Sequence, residues 1–390
     1  MAGYVFLSNS TKPSEEEQNS KNSIKLTNVS RPCLQTAIEM GYDVYFGTNR
    51  ANPEKLECEL PVKMYDSHSY RSITAFKDNK IAYDNLAKVV KEGNIDVIHC
   101  NTPVGGLVGR LVGHRYKVKK ILYTAHGFHF FKGAPLFNRT VLKWAEQIMA
   151  HWTDAIITMN EEDYQSALKF RLKKGGKVFK VHGVGITLSD FINPENRVEK
   201  RTELGLRDDD IMLISAGDLV ERKNYGVAIE AIAKGCNKKL HYFICGNGPE
   251  LENLKSRASE LGVSEQIHFL GFRSDIKDLM YAADIFLFTT LQEGLPRSMM
   301  EAMACGLPCV ASAIRGNVDL LDDGKGGYLC GAKDIDSFAD KIQEIAVSES
   351  VRRKMKNYNL EAIRRYDVSV VKTEIANIYK DILGENVCQN

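Results

Sequence analysis

Short apolar runs alternate with amphipathic segments along the first half of the chain. Each apolar run is four or five residues long and predicts a strand, and the segment after it shows the three-to-four-residue spacing of a helix. The predicted strands are 4–7, 43–46, 96–99, 121–124, 155–158 and 177–181, and the predicted helices include 30–41, 81–90, 104–113, 139–151 and 161–170. Repeated strand–helix units of this kind predict a parallel, doubly wound sheet.

The second half repeats the pattern after a glycine-punctuated exit at 182–186. Predicted strands lie at 211–216, 241–245, 266–270 and 284–288, with another after Gly306, and predicted helices lie at 201–206 and 225–233. Beyond residue 328 the pattern is helical to the end. We therefore predict an α/β protein with two Rossmann-like doubly wound domains, 1–187 and 188–366, a linker at the exit 182–186 with Asn193-Pro194 just beyond it, and a C-terminal helix, 367–390, that crosses back to the first domain.

Composition limits the class of protein but adds no chemistry. With 390 residues, 44% hydrophobic and 26% charged, the chain is expected to be an ordinary soluble globular protein, and its net charge of +2 gives no nucleic-acid bias. Nine cysteines without a CxxC pair predict a reduced, cytosolic protein, with Cys245 and Cys305 in the core. The apolar N-terminus is too short for a signal peptide, and no apolar run approaches the roughly 20 residues of a membrane span. Any membrane contact is therefore expected to be peripheral.

Ligands of doubly wound sheets bind at the carboxyl ends of the strands, and three strand ends of the first half carry notable residues. The polar stretch 8–29 has no periodicity, which is typical of either a functional or a disordered segment. After the strand 96–99, Asn101 and Gly105 belong to a glycine-containing turn that can admit a ligand or serve close helix packing.

The third of these strand ends, at 124–131, is the most specific. Here His126 and His129 flank Gly127 and Phe128, and a histidine at a strand end can offer its ring to a substrate. Two such histidines among aromatic residues make a functional role as plausible as a place in the core.

The helix predicted at 138–151 has two possible roles. Its face with Val141, Ala145, Ile148 and Trp152 is interpreted as a core face. Basic residues near it in the sequence could contact anionic lipid, although solvated surface is the preferred interpretation. These basic residues are Arg115, Lys117, Lys119, Lys120, Arg171, Lys173, Lys174 and Lys177.

In the second half, strand ends carry cations and glycine turns. Gly217 follows the first strand, and Arg222 and Lys223 stand where the next helix begins, a position that disfavours cations unless an anion binds there. A guanidinium and an ammonium at such a junction are suited to a diphosphate. The later turns are candidates for a phosphate, nucleoside or base, and comprise Gly246, Asn247, Gly248 and Phe272.

The segment Glu293–Glu301 is the most informative of the chain. It follows a strand and starts a helix with Pro296 in its first turn, so backbone N–H groups face the loop and suit a phosphate. A helical rise of about 1.5 Å per residue separates the two acids by up to roughly 12 Å, whereas a glycosidase pair needs about 5 Å or under about 10 Å. We interpret them as acceptors for separate hydroxyl-bearing parts of one ligand, with solvated helix acids as the alternative.

Together these strand ends describe a nucleotide-sugar site: cations for phosphates, a turn for the base and acids for sugar hydroxyls. The dense acidic cluster Asp208-Asp-Asp210 precedes a strand and is interpreted as a solvated loop rather than a metal site. No metal and no resident cofactor are expected, so Arg222, Lys223 and the helix N-terminus would meet the leaving-group charge.

At this point the chain resembles the retaining glycosyltransferases of family 4, which have the two-domain GT-B fold with a central cleft. The resemblance rests on the Glu-x7-Glu segment and, more narrowly for bacterial capsule and exopolysaccharide transferases, on the motifs at 124–135, 157–164, 182–186 and 315–321. It implies that Glu293 binds donor-sugar hydroxyls, Glu301 binds the ribose, Lys223 binds the diphosphate and His126 lies near the reacting sugar. It also implies that three residues, Gly294, Leu295 and Pro296, line the sugar and diphosphate.

The chain departs from this family at two places. Many members have arginine directly after the glycine matching Gly217, where this chain has Asp218, so Arg222 is the candidate for the second cation. Many members also have paired glycines after the first strand, where this chain has the stretch 8–29.

The sequence therefore predicts a metal-independent transferase acting in the cytoplasm, peripherally on the inner face of the cell membrane. It would move a hexose or N-acetylhexosamine from a UDP-sugar to an undecaprenyl-diphosphate-linked saccharide, with retention and by a front-face mechanism. The predicted acceptor residues are Asn101, Gly105, Gly127, Phe128 and His129. A UDP-sugar epimerase and a non-catalytic nucleotide-sugar-binding protein are the alternatives, and the sequence gives no oligomeric state.

Overall fold

The computed structural model describes residues 1–14, 24, 26–50, 52–191 and 197–384. The chain divides into two compact units, a first unit of Met1–Gly185 with Val368–Asn390 and a second unit of Ile186–Asp367. The sequence-based boundaries were 187/188 and 366/367. Asn193-Pro194, residues 15–23 and 25 of the stretch 8–29, and residues 385–390 of the predicted final helix lie outside the described residues.

A parallel sheet forms the centre of the first unit. Its strands are β1 (Gly3–Leu7), β2 (Asp43–Thr48), β3 (Lys63–Asp66), β4 (Ile95–Asn101), β5 (Lys120–Ala125), β6 (Ala155–Thr158) and β7 (Lys177–Lys180). Within the described residues the order is β3-β2-β1-β4-β5-β6-β7, and each neighbouring pair is parallel. The prediction of a parallel, doubly wound sheet is confirmed, although the edge strand β3 was not predicted.

Helices connect these strands on both faces of the sheet. They are α1 (Arg31–Glu39), α2 (Phe76–Glu92), α3 (Pro103–Arg115), α4 (Lys143–Ala150, after a π-helical turn Asn138–Leu142) and α5 (Glu161–Ala167). The chain steps from β1 to β2 in one direction and from β4 to β6 in the other. Right-handed crossovers therefore place α1 on one face of the sheet and α3 and α4 on the other.

Two features hold α3 and α4 in place, a close approach through glycine and one buried ion pair. A Cβ on Gly106 would lie 2.4 Å from the Tyr123 ring, so glycine lets α3 approach the sheet closely. Arg110 is fully buried and donates to Glu146 on α4 at 2.7 and 3.1 Å, while its guanidinium lies 3.9 Å from the Tyr123 ring centre. Removing one partner would leave a buried charge, so this pair holds α4 against α3.

The prediction that residues 138–151 form a helix with an apolar stripe facing the core is wrong in part. Val141 and Ile148, predicted to face the core, are exposed, whereas Met149 and Ala150 are buried. The π-helical turn over Asn138–Leu142 changes the residue spacing at the start of the segment, so a single helical period does not describe it.

The second unit has its own parallel sheet. Its strands are β8 (Ile211–Ala216), β9 (Leu240–Cys245), β10 (Ile267–Gly271), β11 (Ile285–Phe288), β12 (Cys309–Ser312) and β13 (Gly327–Cys330). In the described part of the chain their order is β10-β9-β8-β11-β12-β13. The helices are α6 (Arg197–Glu203), α7 (Tyr225–Gly235), α8 (Leu251–Glu260), α9 (Ile276–Ala282), α10 (Arg297–Ala304), α11 (Asn317–Leu320), α12 (Ile335–Ala346) and α13 (Glu349–Ala362). Cys245 and Cys305 are buried, as predicted.

The last helix, α14 (Val368–Leu383), belongs to the first unit and packs against α1. Its Tyr379 hydroxyl lies 2.6 Å from Nδ1 of His99 on β4 and 2.5 Å from the Tyr4 hydroxyl on β1. The second unit closes on itself where it begins and ends, because the Ile186 N–H donates to the Tyr366 carbonyl at 2.9 Å. None of the described helices has the length and apolar character needed to cross a membrane.

Candidate functional site

The strand order marks one edge of the second sheet as a ligand position. From β8 the chain proceeds outward to β9 and β10, and from β11 it proceeds outward the other way to β12 and β13. In open parallel sheets, the crevice beyond the carboxyl ends of the strands at such a reversal is where ligands bind. Arg222 and Lys223 follow β8 and Glu293 follows β11, so the predicted cations and acid stand on the two sides of this point.

Both cations contact Glu293. Nζ of Lys223 lies 2.7 Å from Oε1 of Glu293, and a guanidinium nitrogen of Arg222 lies 3.5 Å from the same oxygen. The side chains of Lys223 and Glu293 are only 11% and 15% exposed, whereas that of Arg222 is 48% exposed. The Lys223 ammonium also lies 4.9 Å from the centre of the Phe288 ring. One partly exposed cation is thus available to an incoming anion, while the other is nearly buried.

The turn that carries the cations is tied to the end of β11. The 3-10 turn Glu221–Lys223 ends at Asn224, whose φ of 55° is left-handed, a conformation that asparagine tolerates. The Asn224 side chain donates to the Thr289 carbonyl at 3.1 Å, and the Thr289 hydroxyl returns a bond to the Asn224 carbonyl at 2.9 Å. The Leu291 N–H donates to the Arg222 carbonyl at 2.8 Å. These bonds fix the cations relative to Glu293.

Glu293 is held from two sides. The Thr290 hydroxyl donates to Oε1 at 3.1 Å, and Nε of Arg315 donates to the Glu293 carbonyl at 3.0 Å. In the described part of the chain every hydrogen bond of this carboxylate goes to Oε1, which leaves Oε2 to accept from a ligand hydroxyl. Arg315 was not among the predicted site residues, although it begins the 315–321 motif that carried the family resemblance.

The loop between the two glutamates leads into α10. Pro296 is the N-cap residue rather than the first helical residue, and it is buried, whereas Gly294 and Leu295 are partly buried. A Cβ on Gly316 would lie 2.4 Å from the Gly294 carbonyl oxygen, so the loop after β12 packs tightly against this segment. Gly294 and Leu295 are therefore set in place by packing from β12.

Glu301 lies on the first turns of α10. Its Oε1 accepts from Nε of Arg297 at 2.8 Å, and the arginine is largely exposed. An exposed pair of this kind contributes little to stability. The carboxylate can therefore exchange this partner for ligand hydroxyls at small cost.

The glycine turns after β8 and β9 pack against each other. A Cβ on Gly246 would lie 2.0 Å from the Gly217 carbonyl oxygen, and one on Gly248 would lie 2.2 Å from the Leu219 carbonyl oxygen. Backbone bonds from Gly217 N–H to the Cys245 carbonyl and from Leu219 N–H to the Asn247 carbonyl, both 2.9 Å, join the turns. Loop-to-loop packing therefore accounts for the glycine at 246 and 248, whereas a Cβ on Gly217 would stand in ordinary contact with Lys223, 3.5 Å from Nζ.

The turn after β10 presents an aromatic side chain to solvent. Phe272 is exposed, whereas the next residue, Arg273, donates to Asp275 at 2.6 and 2.7 Å. The hydrogen bonds from Arg273 hold the pKa of Asp275 well below its usual range. Asn247 is also exposed, and its side-chain oxygen lies 3.3 Å from where a Cβ on Gly271 would stand. Phe272 is thus placed on a rigid turn with its ring free to stack.

Asp218, the departure from the family pattern, is exposed and makes no ion pair with the residues that the structure describes. It lies next to Gly217, in the turn that carries Arg222 and Lys223. Its carboxylate therefore does not neutralise the charge of Arg222 or Lys223.

In the first sheet the order in which successive strands are added reverses between β1 and β4, and the predicted acceptor residues cluster there. Nε2 of His126, directly after β5, lies 3.2 Å from Oδ1 of Asn101, the last residue of β4. Burial lowers the pKa of His126 to about 4, so the ring is neutral at physiological pH. Nδ2 of Asn101 and Oδ1 of Asn9 are buried without a partner among the described residues. Unmet polar groups of this kind are what a hydroxyl-bearing ligand satisfies.

Backbone strain marks the same strand end. Thr102 has a φ of 66°, an outlier for a β-branched residue. Its hydroxyl accepts from the Asn9 N–H at 2.9 Å, which joins the ends of β1 and β4. Strain of this kind persists where the surrounding structure holds it and is frequent at functional sites. Neither Asn9 nor Thr102 was singled out from sequence, because no sequence pattern reports a positive φ at threonine.

The other predicted acceptor residues lie beside α3 and α4. A Cβ on Gly105 would lie 3.2 Å from the Ser8 Cα, so close packing accounts for that glycine. Phe128 is buried and stacks on Phe130 with ring centres 4.6 Å apart. Together with Gly127 and His129 it borders an apolar cavity of about 100 Å³ under α4.

The acidic cluster 208–210 lies at the opposite, amino-terminal edge of the second sheet. The Asp210 carboxylate accepts from the Arg207 N–H at 2.8 Å, which is a loop contact. No group of three or more His, Cys, Asp or Glu side chains that could hold a metal ion occurs among the residues described.

Comparison with known families and sequences places the chain among glycosyltransferases. A model of "Glycosyltransferase Family 4" matches residues 34–179, and a model of "Glycosyl transferases group 1" matches residues 196–362. The Bacillus subtilis protein named "Putative glycosyltransferase EpsD" is 34% identical over 348 residues, which cover 87% of this chain and 90% of EpsD. A UDP-Gal:alpha-D-GlcNAc-diphosphoundecaprenol alpha-1,3-galactosyltransferase of Escherichia coli is 27% identical, covering 80% of this chain and 82% of its own length.

Solved structures agree on the fold. Anabaena HepE, crystallised in complex with UDP and glucose, superposes with a TM-score of 0.76 at 18% identity, covering 97% of this chain and 100% of HepE. The two Rossmann-like parallel-sheet units have the GT-B fold. The chain belongs to glycosyltransferase family 4, and its class of reaction is hexosyl transfer.

Proposed function

We propose that the protein transfers a hexose or N-acetylhexosamine from a UDP-sugar to an undecaprenyl-diphosphate-linked saccharide, with retention at the anomeric carbon and without a metal ion. The Escherichia coli relative is named for a UDP-galactose donor and a diphosphoundecaprenol-linked acceptor, and HepE was crystallised with UDP and with UDP-glucose. These names support the donor and acceptor classes.

The observation that carries the proposal is the contact of Lys223 and Arg222 with Glu293 across the switch point between β8 and β11. A nucleotide sugar joins a diphosphate to a hydroxyl-rich ring, and this site offers two cations beside one carboxylate oxygen that accepts no bond from the described residues. We assign the diphosphate to the cations and a sugar hydroxyl to Oε2 of Glu293. Glu301 and Phe272 are assigned to the ribose and the base.

The proposed chemistry takes place on one face of the sugar. The acceptor oxygen bonds to the anomeric carbon as the bond from that carbon to the diphosphate oxygen breaks, and the acceptor proton passes to a phosphate oxygen of the departing UDP. Arg222 and Lys223 stabilise the negative charge on the leaving diphosphate. Glu293 is ion-paired with Lys223, so we give it a binding role rather than that of a nucleophile.

The acceptor is assigned to the first unit, where His126 and Asn101 lie beside unmet polar groups. A neutral His126 can donate or accept one hydrogen bond to a saccharide hydroxyl without adding charge. We therefore do not assign His126 the role of a general base, which needs a pKa near the operating pH.

Thermal unfolding in the presence of different nucleotide sugars tests the donor. A ligand at 100 times its Kd stabilises the native state by about 2.7 kcal/mol, so UDP-glucose, UDP-galactose and their N-acetylated forms should raise Tm, with GDP-mannose as the base control. Stabilisation by GDP-mannose alone would contradict the assignment.

A transfer assay tests the acceptor and the stereochemistry. UDP release should depend on added polyprenyl-diphosphate-linked N-acetylglucosamine, persist with a chelator, and yield a product whose new linkage has the donor's anomeric configuration by NMR. Epimerised donor in the absence of acceptor would favour the epimerase alternative, and an inverted product would refute retention.

A further inference from the structure

An apolar stripe stands uncovered on the outer face of the segment that ends in α4. Phe137, Val141, Trp144 and Ile148 are 62%, 45%, 65% and 37% exposed. Trp144 and Ile148 lie four residues apart on α4 and so share one face of that helix, while Phe137 and Val141 lie at and within the π-helical turn just before it. Leu136 beside them is exposed as well. A contiguous set of large apolar side chains indicates a contact surface rather than ordinary exposed residues.

Cations without carboxylate partners accompany this stripe. The segment 131–151 contains three cations, Lys132, Arg139 and Lys143, and none of them forms an ion pair in the part of the chain that the structure describes. Its single acid, Glu146, is committed to the buried Arg110. Apart from that buried pair the segment is therefore positively charged, with Arg139 exposed and Lys143 partly buried.

The carboxyl end of α4 extends the positive charge. His151 and Trp152 share a surface depression with Arg115, Lys117 and other basic residues of the neighbouring turn. Neither Arg115 nor Lys117 forms an ion pair with a described residue, whereas Lys119 pairs with Asp96. The cations predicted from sequence to lie near this helix are thus in part unpaired and adjacent to it.

We propose that this surface, the 137–148 stripe, docks the protein on a membrane containing anionic lipid. Apolar side chains including Trp and Phe on one face, flanked by Lys and Arg, are the properties of a helix that lies in the bilayer interface. A second copy of the chain fits less well, because a two-fold contact would gather the unpaired cations Arg139 and Lys143 of both copies at one interface. An anionic bilayer offers hydrocarbon to the apolar stripe and negative charge to the unpaired cations of the same segment.

The inner side of the same segment faces the candidate acceptor residues. Leu142 and Met149 line the 100 Å³ cavity together with Gly127 and His129. A helix is about 10 Å across with its side chains, so docking the stripe would hold the 127–129 loop about one helix diameter from the lipid. The inference rests on the proposed function only for the view that the acceptor is lipid-linked, and lipid binding can be measured without transfer.

A single-tryptophan form of the protein gives a direct readout. The chain has two tryptophans, so Trp152→Phe leaves Trp144 as the only one while preserving an aromatic ring against His114. With vesicles of phosphatidylcholine and phosphatidylglycerol, Trp144 emission should shift to the blue and lose access to iodide. Vesicles of phosphatidylcholine alone should bind more weakly, because each cation near an anionic surface contributes about fivefold to partitioning.

Paired variants locate the surface. Phe137→Ser with Trp144→Ser should lower co-sedimentation with anionic vesicles by more than about tenfold, since two large apolar side chains no longer enter the interface. The matched control is Val370→Ser, an exposed apolar position on α14, which packs with α1 on the opposite face of the sheet. This control should bind vesicles as the native chain does.

Three results would overturn the inference: no vesicle binding by the native chain, undiminished binding by the double serine variant, or a native dimer that the double variant dissociates. The circular dichroism spectrum and Tm of each variant show that it is folded. Native-like stabilisation of the double variant by UDP-sugars would show that donor binding is intact. If UDP-sugars did not stabilise the native chain, that result would count against the proposed function rather than against membrane docking.

Discussion

Replacing Lys223 with methionine tests the centre of the candidate donor site. The change keeps the length of the side chain and removes its charge, leaving Glu293 with Thr290 and the half-exposed Arg222 at 3.5 Å. Breaking a buried ion pair costs about 3–5 kcal/mol, and we expect the lower end because Arg222 still partly compensates the carboxylate. For transfer, losing one preorganised cation at the leaving group should reduce kcat by about 10²- to 10³-fold.

The assay measures UDP release and unfolding on the same preparations. Adding Glu293→Gln to Lys223→Met should recover part of the lost stability, because no carboxylate then remains unpaired, but it should not recover transfer. Lys239→Met is the matched control, since Lys239 pairs with Asp209 where both side chains are exposed. Such a pair is worth under about 1 kcal/mol, so its removal should leave transfer unchanged.

Two outcomes would refute this reasoning. Transfer by Lys223→Met within about threefold of the native rate would show that the lysine does not stabilise the leaving group. A loss of transfer of the same size in Lys239→Met would show that the assay reports general destabilisation. Equal losses in Arg222→Met and Lys223→Met would mean that exposure does not separate the two cations, but would keep the diphosphate assignment.

Three further predictions concern packing, acid stability and the ribose. Gly246→Ala should weaken UDP-sugar stabilisation and lower Tm because its Cβ would stand 2.0 Å from a carbonyl oxygen, whereas Gly226→Ala, with open space around it, should leave Tm unchanged or raise it. Burial lowers the pKa of His99 to about 3, so as pH falls below 6.5 the unfolded chain binds a proton at this site before the folded chain does. The free energy of unfolding of the first unit, followed by tryptophan fluorescence, should therefore fall by about 1.4 kcal/mol per pH unit, and His99→Gln should flatten this dependence on pH. Glu301→Gln should raise the KM for the donor about tenfold with little change in unfolding, since Arg297 is largely exposed.

Strands buried on both faces could be predicted from the sequence almost residue for residue. The predicted strands at 155–158 and 211–216 agree with β6 and β8 because a continuous apolar run between two helices is typical of a strand buried on both faces of a parallel sheet. The edge strands β3 and β13 escaped prediction because β3 has only two apolar residues, Met64 and Tyr65, and β13 begins at the end of the glycine-rich stretch 324–327. Their pattern of apolar and polar residues is too short to distinguish from a turn.

The candidate site could be predicted as residue types at strand ends but not as contacts. Lys223 and Glu293 lie seventy residues apart, and only the sheet order shows that their strands are neighbours. The role of Arg315 depends on a backbone carbonyl, and the strain at Thr102 depends on φ, so neither leaves a mark on the pattern of side chains. The exposure of Val141 and Ile148 could not be predicted, because an outward apolar face and a core face have the same periodicity.

The return of α14 to the first unit has a consequence for biosynthesis. Tyr379 closes the buried cluster with His99 and Tyr4, and it is translated after every residue of the second unit. The second unit, whose two ends are joined by the Ile186–Tyr366 bond, therefore needs no residue that follows it in the chain to complete its fold. The first unit begins earlier but finishes later, and until α14 arrives its β1–β4 region lacks the partner that covers two buried polar side chains. A chain truncated after residue 367 would thus contain every residue of the second unit but an incomplete first unit.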